Sequence, residues 1–283
     1  MTATPAASIN SAGSADSAGK ADGLDGLFAR TRSEGRAALV GYLPAGYPEL
    51  KRSKDAFAAM LDGGADLVEV GVPYSDPVMD GPTIQLAGDT ALRAGFRLRH
   101  VFETVESVAA RGGKAVVMTY WNPVRRYGVE AFARDLAAAG GLGMITPDLI
   151  PEEGADWVDA SRRHGLDRIF LVAPSSSEQR IDLTVRASSG FVYATAVMGV
   201  TGAREVVGAG AAELVRRTRA HTDLPIGVGL GVRSREQAAE VAGFADAVIV
   251  GSALVTKAAE GAEAVRALTA ELAKGVREPV GGA

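Results

Sequence analysis

Cysteine is absent from all 283 residues. That excludes disulfides and thiolate metal sites, and it fits a reducing, cytoplasmic setting. An excess of positive charge is absent too. Against 34 Asp and Glu stand 30 Lys and Arg, for a net charge of −4, and no stretch concentrates the basic residues. There is thus no nucleic-acid footprint. No apolar run approaches the roughly 18–20 residues of a membrane span. Histidine is scarce: His100, His164 and His221 are the only three. They are scattered over predicted helices and helix-to-strand loops, whereas a zinc aldolase would need clustered histidines. No G-x-G-x-x-G follows the first apolar run, which weighs against a dinucleotide fold.

What remains is the composition of a soluble globular chain, 47% hydrophobic and 23% charged. Residues 1–22 are small, polar and aperiodic. They lack the apolar segment of a signal peptide and read as a disordered tail. One domain is expected over residues 23–274, followed by a flexible tail over 275–283. Eight short apolar runs punctuate that domain, at 37–43, 66–72, 114–120, 142–146, 168–173, 190–196, 225–231 and 246–250. Their near-continuous apolar character suits strands buried on both faces of a parallel sheet. Amphipathic, Ala-rich segments lie between them, as at 50–64, 129–141, 152–165 and 234–243, and several end in Gly. Eight strand–helix units in about 250 residues is the arithmetic of a single-domain (β/α)₈ TIM barrel. A doubly wound open sheet is the alternative.

Barrels carry their chemistry where strands end and loops begin. The seventh run delivers Gly229, Leu230 and Gly231, and the eighth delivers Gly251 and Ser252 at the start of a predicted short helix. Glycines let a backbone approach an anion, and helix-start N–H groups with their dipole favour negative charge. These residues, with Gly202 from the sixth loop, form a candidate phosphate cradle. The plainer reading is a set of turn glycines. A Schiff-base aldolase would need a lysine at this rim. Lys114 opens the third run at the opposite rim, and Lys257 lies beyond the eighth loop's helix. The stretch EVGVPYSDPVMDG (69–81) instead offers carboxylates. Glu69 interrupts an apolar run. A buried Glu is costly unless paired or neutral, and its neighbours Val68, Val70 and Val72 are expected to raise its pKa into the range useful for proton transfer. The alternative is an interior charge paired with a distant Arg or Lys. Asp80 is expected to stay ionised, or else merely to cap its loop, and Asp76 reads as a turn former.

The string VEVGVPYSDPVMDGPTIQ, followed in order by MTYWNP, GVTGAR, GLGV and VGSALV, resembles the tryptophan synthase alpha chain over about residues 24–273. The resemblance implies a (β/α)₈ barrel that splits indole-3-glycerol phosphate into indole and glyceraldehyde 3-phosphate. It implies no cofactor in this chain and a pyridoxal-phosphate beta chain as partner in an αββα complex. Glu69 and Asp80 match the family's catalytic pair, and Tyr193 its active-site tyrosine. Gly202, Gly229, Gly231, Gly251 and Ser252 match the phosphate cradle. Tyr42, Tyr120, Ile145 and Leu230 fall where the indole pocket lies. Pro73, Asp76 and Asn122 match positions near the beta-chain interface. The chain departs from the family pattern at Ala196, Val197 and Met198 before the sixth loop, and at Pro44 and Tyr47 in the first. A stand-alone lyase releasing free indole, and an idle regulatory barrel, are the competing readings.

Overall fold

Every apolar run predicted as a strand lies in one parallel sheet in a computed structural model, which describes residues 23–195 and 204–278. The first four strands are β1 (Ala38–Pro44), β2 (Leu67–Gly71), β3 (Ala115–Met118) and β4 (Gly143–Ile145). The fifth run is split into β5 (Asp167–Ile169) and β6 (Leu171–Val172). It is followed by β7 (Val192–Thr195), β8 (Ile226–Gly229) and β9 (Ala247–Val250). Their order is β5-β4-β3-β2-β1-β9-β8-β7-β6. The two ends of that order, β5 and β6, are separated by the single residue Phe170. The sheet is therefore a ring closed through the chain itself, not an open doubly wound sheet. The Phe170 carbonyl accepts the Tyr193 N–H at 3.1 Å, so the fifth run passes from one neighbour to the next there.

Twelve α-helices accompany the strands among the described residues: α1 (Leu24–Ser33), α2 (Leu50–Asp62), α3 (Pro82–Arg93), α4 (Arg99–Ala109), α5 (Trp121–Tyr127), α6 (Val129–Ala138), α7 (Ala155–Arg163), α8 (Glu178–Ala187), α9 (Arg204–Arg219), α10 (Arg235–Ala242), α11 (Ser252–Glu260) and α12 (Ala262–Arg277). The glycines predicted to stop α6 and α7 do so in left-handed backbone, Gly140 at φ +84° and Gly165 at φ +67°. The last helix runs through Arg277, so the tail expected from residue 275 begins inside α12.

Two packed layers follow from the strand pleat. Side chains pointing outward, such as Val68 and Val70, pack with the surrounding helices. Those pointing inward, including Ala38, Val40, Leu67, Val116, Ile145, Ile169 and Ala247, fill the barrel. Sequence reading assigned no role to α1, yet Leu24, Leu27 and Phe28 join this interior cluster. They meet it at the N-terminal ends of the strands, where Phe28 lies 5.7 Å from the Phe191 ring. The helix plugs the barrel floor. Leu27 is fully buried, so Leu27→Ala is expected to cost about 2–5 kcal/mol, checked as a lowered midpoint in urea unfolding.

Candidate active site

β2 carries Leu67 and Glu69 on its inward face, and the chain then turns through Pro73, Ser75 and Pro77 to Asp80. The side chain of Glu69 is 1% exposed. Its Oε2 has no hydrogen-bond partner, and no salt bridge reaches the group among the described residues. The distant Arg or Lys that could have explained Glu69 as a structural charge is therefore missing there. Burial, and then the Asp80 carboxylate, push the Glu69 pKa up to about 8. The rise was expected, but Val68, Val70 and Val72, which were expected to cause it, do not. All three belong to the outer packing layer, and the surroundings of Glu69 are the inward residues of neighbouring strands. Asp80 is half-buried and is also pushed up by burial, an effect that the nearby Tyr120 hydroxyl opposes.

Glu69 and Asp80 face a cavity of about 370 Å³ at the C-terminal mouth of the barrel. Tyr42 on β1 and Tyr193 on β7 share its wall. Desolvation and the two carboxylates raise both phenols well above the ordinary tyrosine range, so both remain neutral donors. Two glycines make room for them. A Cβ at Gly71 would lie 2.5 Å from the Tyr42 hydroxyl. One at Gly229 would collide with the Tyr193 hydroxyl in the same way. Gly229, read from sequence as part of an anion cradle, thus has a packing reason to be glycine. Gly251 has none, because a Cβ there would make only ordinary contact with the Tyr42 ring at 3.4 Å.

Across the cavity, Leu230, Gly231, Gly251 and Ser252 also line the wall. Gly231 sits at φ +77°, where other residues are strained. Gly251 is the N-cap of α11 and makes no side-chain cap hydrogen bond. The first N–H groups of that nine-residue helix are left for a ligand, and the dipole favours an anion there. Gly202 and the departures at Ala196, Val197 and Met198 lie outside the described residues.

Two predicted pocket residues stand elsewhere. Ile145 is buried among Val116 and Ile169 in the barrel interior. Its register partner Met118 on β3 forms the wall instead. Tyr120 stands behind Asp80, outside the wall. Other wall residues had not been singled out: Met79, Gly81 and Ile84 from the second loop and α3, and Thr195 and Ile249 from strand ends. Met118, Thr195 and Ile249 lie two positions beyond the inward residues Val116, Tyr193 and Ala247, so period-two alternation was a usable signal. The second-loop residues carried none.

The remaining candidates have local roles. Asp76 is exposed and accepts the Ser75 hydroxyl at 2.5 Å, as a turn former does, and Asn122 donates to the Tyr74 hydroxyl at 3.1 Å. Pro44 ends β1 opposite Gly71, and Tyr47 packs at the edge of the outer core. His164 binds Glu130, His221 binds Glu178, and Lys257 pairs with Glu260. No group of three or more potential metal ligands occurs among the described residues.

The model of the family described as "Tryptophan synthase alpha chain" matches residues 28–279. The chain belongs to that family. A tryptophan synthase alpha chain from Nocardia farcinica is 65% identical over 254 residues, covering 90% of this chain and 96% of the relative. A solved structure of Mycobacterium tuberculosis tryptophan synthase superposes with a TM-score of 0.86 at 61% identity, over 90% of this chain and 98% of that one. A tryptophan synthase complex from Pyrococcus furiosus gives 0.75 at 33% identity, over 84% and 96%. Membership of the tryptophan synthase alpha chain family makes this protein a lyase, the alpha subunit of tryptophan synthase. The matched region runs from α1 past the end of α12 and contains both carboxylates.

The raised pKa of Glu69 has a stability consequence with a definite sign. Below about pH 4.5 the group is protonated in both folded and unfolded chains. Between that value and about 8 the unfolded chain releases the proton and the folded one keeps it. Folding then loses roughly 1.4 kcal/mol per pH unit relative to a neutral side chain. Glu69→Gln is therefore expected to gain stability on wild type steadily from pH 5 to pH 8. Urea unfolding of both proteins at each pH checks this, and parallel curves would refute it.

Proposed function

We propose that this chain cleaves indole-3-glycerol phosphate by a retro-aldol step in which Glu69 moves the protons and Asp80 holds the indole nitrogen. One observation carries the proposal. A carboxylic acid that retains its proton near neutrality, with no cation bound to it, shares a cavity with a second carboxylate and an uncapped helix N-terminus. The phosphate would sit against Gly231, Gly251 and Ser252, with Gly202 as a further donor. The indole would lie toward Tyr42, Leu230, Met118 and Ile249.

Carbon–carbon cleavage needs an electron sink, and the substrate can supply its own. Glu69 gives its proton to indole C3, which makes an indolenine cation. Asp80 stabilises the positive charge at N1 and accepts a hydrogen bond from the N1–H, which stays on the ring. The Glu69 carboxylate so formed removes the proton from the glycerol hydroxyl. As the C–C bond breaks, its electron pair restores the indole ring, and the hydroxyl carbon becomes the aldehyde of glyceraldehyde 3-phosphate. Glu69 ends protonated again.

The partner we propose is the tryptophan synthase beta chain, in an αββα complex, with pyridoxal phosphate held by the beta chain. Supporting this, Val78 is 77% exposed and Leu86 68%. They flank Asp80 on the second loop and α3, near Pro73 and Asp76, and apolar side chains grouped in water mark an interaction surface. We place the reaction in the cytoplasm, in keeping with a chain free of cysteine.

The test is indole release by the purified chain, with and without a cognate beta chain. Weak activity that rises sharply with the partner is expected. Full activity alone would favour an independent lyase, and substrate binding without turnover in either condition an idle barrel. Glu69→Gln should lower turnover by roughly 10²–10⁴-fold while leaving phosphate binding intact. Because Glu69 must start protonated, kcat/KM of the wild type should fall as pH rises through about 8.

A further inference from the structure

We infer that Gln85 is a positioning residue, whose side-chain amide pins the main chain of Asp80 and so fixes where the second loop offers its carboxylate to the cavity. Among the described residues, no backbone–backbone hydrogen bond involves positions 73–80. The stretch that carries Asp80 thus lacks the ladder and turn bonds that hold the strand before it and the helix after it, and side chains supply the restraint.

Gln85 Nε2 donates to the Asp80 carbonyl at 2.7 Å. A carbonyl can only accept, so the bond requires the amide N–H of Gln85. The N-cap of α3 is Gly81, which has no side chain to close the helix start. Gln85 secures that junction from within the helix, reaching back across Gly81 to the residue before it. The helix is a firm base for this reach. Its residues Ala87, Gly88 and Ala91 are buried. A Cβ at Gly88 would lie 4.0 Å from the Pro73 Cα, so α3 also passes alongside the start of the loop.

A second side chain holds the other flank. The Tyr120 hydroxyl, on a residue only 4% exposed, accepts the Met79 N–H at 3.2 Å. The two bonds fall on the peptide groups 78–79 and 80–81, on either side of Asp80. With both held, the Cα–Cβ bond of Asp80 keeps one direction. Loss of the Gln85 bond frees the 80–81 peptide and the carboxylate with it. Gln85 itself is exposed and outside the cavity wall. It acts on the reaction through Asp80, without touching the substrate.

This inference rests on the proposed role of Asp80, so its test has two arms. Gln85→Met keeps the length of the side chain and removes its donor, and at an exposed position it leaves folding intact. The first arm is indole release by the full chain with its beta partner at saturation. Asp80 meets a charge that forms only as the reaction proceeds, so kcat should fall about tenfold while KM changes less than about twofold. The second arm is amide hydrogen exchange of the full chain without its partner, followed by NMR. With the loop freed at Asp80, exchange at the Met79 N–H should quicken about fivefold. A kcat or a Met79 exchange rate that stays at its wild-type value makes Gln85 a surface residue and overturns the inference. A loss of turnover seen only below saturation is a loss of partner affinity and overturns it as well. Should the wild type release no indole, the functional reading fails, and the exchange arm alone decides whether Gln85 holds the loop.

Discussion

A carboxyl group enclosed in an apolar barrel, with one oxygen unpartnered, is the constraint around which this mouth of the fold is arranged. An ionised Glu69 would need a cation or several donors to offset its lost hydration. The described residues supply neither to Oε2, and the low-energy solution is to keep the proton. Asp80 reinforces this, since a second negative charge nearby makes ionisation of Glu69 harder still. The same two groups must then stay unlike each other. One is sealed on a strand, and the other is half-buried on a loop. Environment, not residue type, separates their proton affinities.

The tyrosines follow from the same requirement. Tyr42 and Tyr193 flank the carboxyls with large surfaces that exclude water, yet neither brings a compensating charge. Space for them is created by deleting a Cβ from the adjacent strand at Gly71 and Gly229. The features that suit an anion are kept on another part of the wall, at Gly231 and the start of α11. A helix start presents N–H groups and a dipole that favour negative charge. Placing an anion beside Glu69 would have raised the cost of ionisation further. The cavity thus has a donor end and an acid end.

Much of this was legible before the fold was known, because buried parallel strands announce themselves as short apolar runs. All eight runs found strands. A lone carboxylate in the second, and glycines leaving the seventh and eighth, stood out against that pattern. What stayed hidden depended on direction and distance. Val68 and Val70 are adjacent to Glu69 in sequence but face away from it, and Met118 reaches the cavity while its register partner Ile145 does not. Tyr120 could be placed at the correct rim, but only the path of the second loop brings the Met79 N–H to its hydroxyl. The plug helix α1 was missed because its buried positions, Leu24, Leu27, Phe28 and Thr31, form a short stripe ending in a polar residue beside a polar tail.

That helix bears on the chemistry as well as on stability. Glu69 lies above a column of side chains from Leu67, Val116 and Ile169 down to Leu27 and Phe28. If this floor were absent, water could enter the barrel from below and hydrate the carboxylate. The dominant cause of its raised pKa is burial, so such wetting would move Glu69 back toward an ordinary, ionised glutamate that has no proton to give. An apolar contact at one end of the barrel therefore helps set the protonation state at the other. The strand pleat makes both demands compatible: it sends alternate side chains to the interior, where Leu67 seals the barrel and Glu69, two residues on, holds its proton.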